Sequence, residues 1–296
     1  MQHQSLSSLQ IGIVILTWNG RDLTLECLES LASIRTTDTV IRIVVDNASN
    51  DGTVAAIRSR WGDDVTIIAN ATNEGFSRGN NAGIQRALDA GCDAVLLLNN
   101  DTVVDPDFLS EMAGALRADT AVGIAAPKIY YYAQRDQIWF ADGEVSLGRG
   151  TARHIGIRER DVGQHDTPRD IGYATGCALL ARREVFQTIG LLDPSYMAYY
   201  EDTDFCMRAR RAGYRIRYVP AARVWHKISA SSGGQLSRKK VMRKFRSTWK
   251  FFGRYARPRH WLTIPFFFTA DVLRIILLVF LGRIRNDRKS TPSATI

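Results

Sequence analysis

The run Tyr199-Tyr200-Glu201-Asp202-Thr203-Asp204 places three acids within four residues, just ahead of Phe205-Cys206-Met207-Arg208. A carboxylate held there beside a crevice can take the proton of an incoming hydroxyl, with its basicity set by burial and neighbouring charge. The same acids can instead cap a helix, whose N-terminal dipole favours negative charge. A second cluster, Asn99-Asn100-Asp101, follows a strongly apolar run. It supplies hard oxygen donors and leaves coordination positions open, which suits Mg2+ or Mn2+ bridged by a diphosphate. The plainer alternative makes Asp101 an Asx turn or a helix cap ahead of Pro106. His226, in Val224-Trp225-His226-Lys227, can bring imidazole to the same metal or diphosphate if partners accompany it.

Two further segments carry groups suited to a nucleotide. Val44-Val45-Asp46-Asn47-Ala48-Ser49 sets a carboxylate and small polar groups at a strand end, where they can meet a nucleobase or ribose. Asn73-Glu74-Gly75-Phe76-Ser77-Arg78-Gly79-Asn80-Asn81 offers glycines, an arginine and amides at a helix start, a setting for phosphate contacts or for an ordinary cap.

Hydrophobic period indicates the elements that position these groups. Ile11–Leu16 is a short β-branched run that reads as a strand buried on both faces and ends at Thr17-Trp18-Asn19-Gly20. Leu23, Cys27, Leu28 and Leu31 then recur at helical spacing. Val40–Val45 and Val65–Ala69 predict further strands, Gly75–Ala90 a helix, and Ala94–Leu98 the most hydrophobic strand. Repeated strand–helix alternation predicts a mostly parallel sheet with helices on both faces, and ligands of such sheets gather at the carboxyl ends of the strands. Turn chemistry explains Asn, Asp and Gly after any one strand. Three such ends in succession point to one crevice. Beyond Pro127 the alternation fades, and the stretch from Gly143 to Arg169 has no clear period, so loops or a small antiparallel extension are expected there. Gly172–Arg182 reads as a loop entering a strand, and Asp202–Ala212 as a helix.

The chain of 296 residues is long enough for one large α/β domain with an appendage or for two modest domains, and 45% hydrophobic residues exclude wholesale disorder. The four cysteines are scattered without a Cys-x-x-Cys pair, which suggests neither a zinc cluster nor a disulfide framework. The first ten residues lack a basic start and apolar core, so no secretory leader is expected. Net charge is +9, yet Arg238–Lys289 holds 15 Lys and Arg against Asp271 and Asp287, which leaves the rest of the chain mildly acidic. Between Arg238 and Arg259 the basic residues alternate with Val241, Phe245, Trp249, Phe251, Phe252 and Tyr255. Trp261–Leu281 follows, mostly apolar but interrupted by Pro265, Asp271 and Arg274, which argues against a clean membrane span. Basic residues beside aromatic ones favour a segment lying in the headgroups of an anionic membrane; nucleic acid would not require the apolar run. The bland alternative packs these helices on the catalytic domain or on a second subunit.

Taken in order, I-V-I-L-T-W-N-G from Ile13, V-V-D-N-A-S-N-D-G-T from Val44, N-E-G-F-S-R-G-N-N-A-G from Asn73, L-L-N-N-D-T from Leu97 and Y-Y-E-D-T-D-F-C-M-R-A-R-R-A-G-Y from Tyr199 resemble the family 2 glycosyltransferases of the GT-A fold. Bacterial rhamnosyltransferase-like members are the most similar, and the resemblance runs from about Ile11 to about Gly233. It implies an α/β, Rossmann-like domain over residues 1–237, with a nucleotide-sugar half to about 127 and an acceptor half beyond, and a basic amphipathic segment over 238–296. It also implies that Thr17, Asn19, Asp46, Asn47, Ser49, Arg78, Asn80, Asn99 and Asn100 bind the nucleotide sugar, and that Asp101 and His226 bind Mg2+ or Mn2+. Many relatives have aspartate where this chain has Asn99. Asp202 matches the family's catalytic base, with Glu201 beside it. The implied reaction is displacement with inversion, moving rhamnose from dTDP-rhamnose, or alternatively a sugar from a UDP-hexose or UDP-galactofuranose, to a saccharide or lipid-linked acceptor, at the cytoplasmic face of the cell membrane. A silent nucleotide-sugar-binding scaffold is the rival reading, against which the Glu201-Asp202 pair counts.

Overall fold

A computed structural model describes residues 8–266 and Thr269, apart from Met197 and 229–237. Two compact units emerge: one comprises the chain to Glu144 together with Arg153–Thr248, the other Val145–Ala152 and the chain from Trp249.

The first unit opens with β1 (Gln10–Thr17), α1 (Arg21–Ala32), β2 (Thr39–Asp46), α2 (Thr53–Trp61), β3 (Val65–Ala69), α3 (Gly75–Asp89) and β4 (Ala94–Asn99). The strands lie parallel in the order β4-β1-β2-β3. Ile11, Ile13, Val14 and Ile15 of β1 are all fully buried, so successive residues find apolar cover on both faces. Each such side chain contributes about 1.5–3 kcal/mol of burial. Gly79 and Gly83 let α3 approach the sheet closely, because a Cβ on Gly79 would lie 2.4 Å from Leu16 Cδ1 and one on Gly83 2.3 Å from Val14 Cγ1. This contact fixes the start of α3 near the ends of the strands.

The chain continues through β5 (Thr102–Val104), α4 (Phe108–Ala118), β6 (Val122–Tyr131), β7 (Ile138–Phe140), β8 (Asp142–Ser146), β9 (Thr151–Ile155), β10 (Arg169–Asp170), β11 (Ala178–Arg182), α5 (Arg183–Ile189), α6 (Glu201–Arg211) and β12 (Arg215–His226). The sheet extends as β10-β12-β6-β11 beside β4, with β11 antiparallel to both β4 and β6, and β12 parallel to β6. The expected irregular region holds β7, β10 and a separate two-stranded sheet of β8 and β9. Sequence period fades there because the strands are short and joined by long turns.

At the C-terminus, α7 (Arg238–Tyr255) and α8 (Pro258–Trp261) follow. Among the described residues no helix is long and apolar enough to cross a membrane. Most of the Trp261–Leu281 run lies outside the described residues. The four cysteines are free and buried.

Candidate active site

Strand register brings the first three polar clusters level. Thr17 at the end of β1 pairs with Asp46 at the end of β2, and Leu16 pairs with Asn99 at the end of β4. Side chains then lace the ends together. Asn19 N donates to Ser49 Oγ at 2.8 Å, Asn50 N to Asn19 Oδ1 at 2.8 Å, and Ser49 N to Asp46 Oδ2 at 2.9 Å. These bonds hold Asn19 and Ala48 in the left-handed region, at φ 49° and 62°, where a non-glycine residue costs about 1–3 kcal/mol. Asn100 Nδ2 donates to Thr17 Oγ1 at 3.2 Å and Thr24 Oγ1 at 3.1 Å. Gly20 makes room for it, since a Cβ there would lie 2.5 Å from Asn100 Nδ2. Asp46 is buried, and its Oδ1 has no partner among the described residues. A buried acceptor left in that state is costly, which makes it a natural contact for a ligand donor.

Other residues expected at the nucleotide have structural partners. Asn47 Nδ2 donates to Asn73 Oδ1 and Gly75 O, and Asn47 Oδ1 accepts from Asn70 Nδ2, so this amide ties β2 to the start of α3. Asn80 is buried and donates to Phe76 O one turn back. Arg78 is exposed on α3.

Asp101 follows β4 but caps no helix: the next element is β5, and α4 begins only at Phe108. Antiparallel pairing of His226 with Thr102 places the histidine beside it. His226 Nε2 stands 3.0 Å from Asp101 Oδ1, and Lys227 N donates to Asp101 O at 2.8 Å. Burial opposes charging of His226, while the Cys177 sulfur and the Asp101 carboxylate favour it, and the net direction is upward. Burial also pushes the Cys177 thiol up, which leaves the Asp101 carboxylate as the charge facing the ring. His226 Nδ1 is buried without a hydrogen-bond partner among the described residues. A carboxylate oxygen and an imidazole nitrogen, its ring proton displaced on binding, fit a divalent cation whose other positions belong to phosphate and water. No third His, Cys, Asp or Glu joins them as a metal cluster among the described residues.

The three acids before α6 separate by environment. Asp204 is fully buried and paired with Arg208 at 2.8 Å, and Arg208 also donates to Leu191 O, so this acid anchors the helix. Glu201 is buried, with Oε2 lacking a partner among the described residues; burial and then the Asp202 charge raise its carboxyl above the ordinary range. Asp202 Oδ2 accepts from Gly176 N at 2.8 Å, and Oδ1 from Thr203 N at 2.6 Å. Tyr199 and Tyr200, at φ 69° and 71°, set the sharp entry to α6.

One dipeptide joins the two halves of the site. Gly176 N holds Asp202, Cys177 O accepts from Asn99 N at 2.9 Å, and the Cys177 thiol lies within the electrostatic reach of His226, Asp101 and Asp202. A Cβ on Gly176 would also meet Phe76 of α3 at 3.1 Å. The strand ends, the Asp101–His226 pair and Asp202 therefore converge on the start of β11. Sequence reasoning gave this segment no role. It also passed over Trp139, His154 and Tyr173: Trp139 meets His226 and His154 edge-on, each at 4.6 Å between centroids, and His154 lies 5.9 Å from Tyr173. Burial lowers His154, against the Asp202 charge, and raises the Tyr173 phenol, with that charge adding. The weak signals for these residues were a Trp between two large apolar residues and a histidine in a polar stretch.

Four parallel strands with polar carboxyl ends, continued by a mixed half that brings an acidic helix to the same place, define the GT-A fold. Residues 12–190 match the model of glycosyl transferase family 2. The chain belongs to that family. It is 32% identical over 178 residues to the low-salt glycan biosynthesis hexosyltransferase Agl10 of Haloferax volcanii, covering 59% of this chain and 54% of that protein. It is 29% identical over 227 residues to the N-acetylglucosaminyl-diphospho-decaprenol L-rhamnosyltransferase of Mycobacterium tuberculosis, covering 68% and 71%. The crystal structure of GalNAc-T7 with UDP, GalNAc and Mn2+ superposes with a TM-score of 0.64 at 18% identity, over 83% of this chain and 49% of that one, a likeness of fold. The chain thus spans about half the length of the first and last of these proteins.

Proposed function

We propose that this chain is an inverting, metal-dependent hexosyltransferase that moves a sugar from a nucleotide-sugar donor to a hydroxyl of a saccharide acceptor. The observation that carries the reading is the Gly176-Cys177 dipeptide, which ties Asn99, His226 and Asp202 into one centre. Family membership and the likeness of fold support it.

In this reading Thr17, Asn19, Asp46 and Ser49 receive the nucleoside, with Asp46 Oδ1 as the free acceptor. Asn99 and Asn100 border the diphosphate, and Arg78 approaches it from α3. Asn47 and Asn80 act by fixing α3. Asp101 and His226 would hold Mg2+ or Mn2+. A cation bound there neutralises charge on the departing diphosphate. Asp202, oriented by Gly176 N and Thr203, takes the acceptor proton as its oxygen attacks. Glu201, protonated by its burial, adds no second charge beside it. Base and leaving group lie on opposite sides of the anomeric carbon, hence inversion.

Rhamnose is the proposed sugar and a lipid-linked saccharide the proposed acceptor, by analogy with the mycobacterial relative, with dTDP as the carrier that the sequence resemblance implies. In this reading residues 1–237 form the catalytic domain, and the basic segment from Arg238 meets an anionic membrane at its cytoplasmic face, with a homodimer through the same helices as the competing use. The alternation of basic and aromatic residues in α7 supports the membrane role.

Release of nucleoside diphosphate from dTDP-, UDP- and GDP-sugars, with lipid-linked saccharides as acceptors, tests the proposal. Turnover with one donor that is abolished by EDTA and restored by Mg2+ or Mn2+ is expected. Binding without turnover for every pair would leave the scaffold reading instead. Salt-sensitive binding to anionic liposomes, lost on truncation before Arg238, tests the membrane role.

A further inference from the structure

We propose that Trp139 is the platform on which the transferred sugar lies, its indole against the apolar face of the pyranose. The assignment rests on the glycosyltransferase reading above and names the surface that reading leaves open.

Three observations place Trp139 there. β7 is anchored by Ile138 and Phe140, both fully buried, and the pleat turns the residue between them to the other side, where its ring is only half-buried. That ring meets His226 at 4.6 Å and 72°, and His154 at 4.6 Å and 81°. His226 belongs to the Asp101 pair, whereas His154 packs against Tyr173, on the segment whose Gly176 N holds the Asp202 carboxylate. The indole therefore spans from the leaving-group side to the base side. An anomeric carbon undergoing displacement must occupy that interval.

The ring is also held firmly. His154 packs edge-on against the Trp139 ring and is boxed by Phe140, perpendicular at 5.0 Å, and by Tyr173. An ordered aromatic ring presents a negative face to the weakly positive C–H groups of a sugar. It binds the ring without competing for the hydroxyls, which polar groups elsewhere can orient. His154 acts here as a positioning residue.

The test measures two constants on the full-length protein: KM for the nucleotide sugar that the wild type turns over, and the inhibition constant of the matching free nucleoside diphosphate. Trp139→Ala is expected to raise KM for the nucleotide sugar about tenfold, the size of a lost aromatic contact, and to leave the inhibition constant within about twofold. The retained inhibition constant reports an intact fold. Trp139→Phe, which keeps an aromatic face, is expected to show the same split at a smaller size. Constants that move together by one factor in both variants, or that do not move, would overturn the assignment. A wild type that turned over no nucleotide sugar would overturn the transferase reading and this assignment with it, whereas an active wild type with an unaltered Trp139→Ala would overturn this assignment alone.

Discussion

The carboxyl ends of β1, β2 and β4 and the region between β6 and β12 meet at one site, but they are positioned differently. On the first side, backbone register sets Thr17 beside Asp46 and aligns Asn99 one step away, and short hydrogen bonds finish the arrangement. On the second, only His226 is set by strand pairing, while Trp139, His154, Tyr173, Gly176 and Asp202 arrive from separate segments and meet through side-chain contacts. The turn after β9 is an instance. Lys128 of β6 is buried to 1% exposure and pairs with Asp161 at 2.9 Å and with Asp166, while Tyr130 Oη donates to Asp161 at 2.5 Å. Sheet register survives the loss of a side chain; an ion network does not.

The two sides should accordingly separate under mutation. Asp202→Asn is expected to lower kcat by about 10²–10⁴-fold, the usual range for a lost general base, with nucleoside diphosphate affinity unchanged; steady-state kinetics and titration calorimetry check both. Asp161→Asn, which weakens one of the two pairs of a buried lysine and leaves Asp166 in place, is expected to lower stability by about 1.5–3 kcal/mol in urea unfolding, the size of a hydrogen bond to a charged group, again sparing the nucleotide side. Gly79→Ala attacks the other side. Its Cβ would press on Leu16 and Asn47, so a cost of about 1–3 kcal/mol together with weaker nucleotide binding is expected.

A further effect concerns pH. The folded state raises the Glu201 carboxyl above its ordinary 4.5, chiefly by burial, so the fold prefers it protonated. Its contribution to stability is complete below that value and is lost as pH rises through the raised one. Glu201→Gln removes the loss. Its unfolding midpoint should therefore gain on the wild type between pH 5 and pH 8, and a constant difference would show that the pair is not strained in this way.

The same contrast explains what the sequence disclosed. Val65–Ala69 coincides with the observed β3, and the other early strands agree within a residue or two, because apolar runs buried on both faces leave a continuous signal. Asp46, Asp101 and Asp202 were legible as strand-end or helix-start polar groups. Asn47 and Asn80 were legible as site residues, yet their amides bond backbone and neighbouring amides, which composition alone does not distinguish from ligand contacts. Trp139, His154 and the Gly176-Cys177 dipeptide were silent, since their meaning comes from packing between segments tens of residues apart. A three-residue strand such as β7 carries too little period to announce the residue it turns towards the site.

If Asp202 and the Asp101–His226 pair flank one sugar from opposite sides, displacement inverts its anomeric carbon. Proton NMR of the product formed from the donor that the protein turns over tests this most directly. The anomeric configuration should be opposite to that of the donor; a product that retains the donor configuration would contradict direct displacement at this centre.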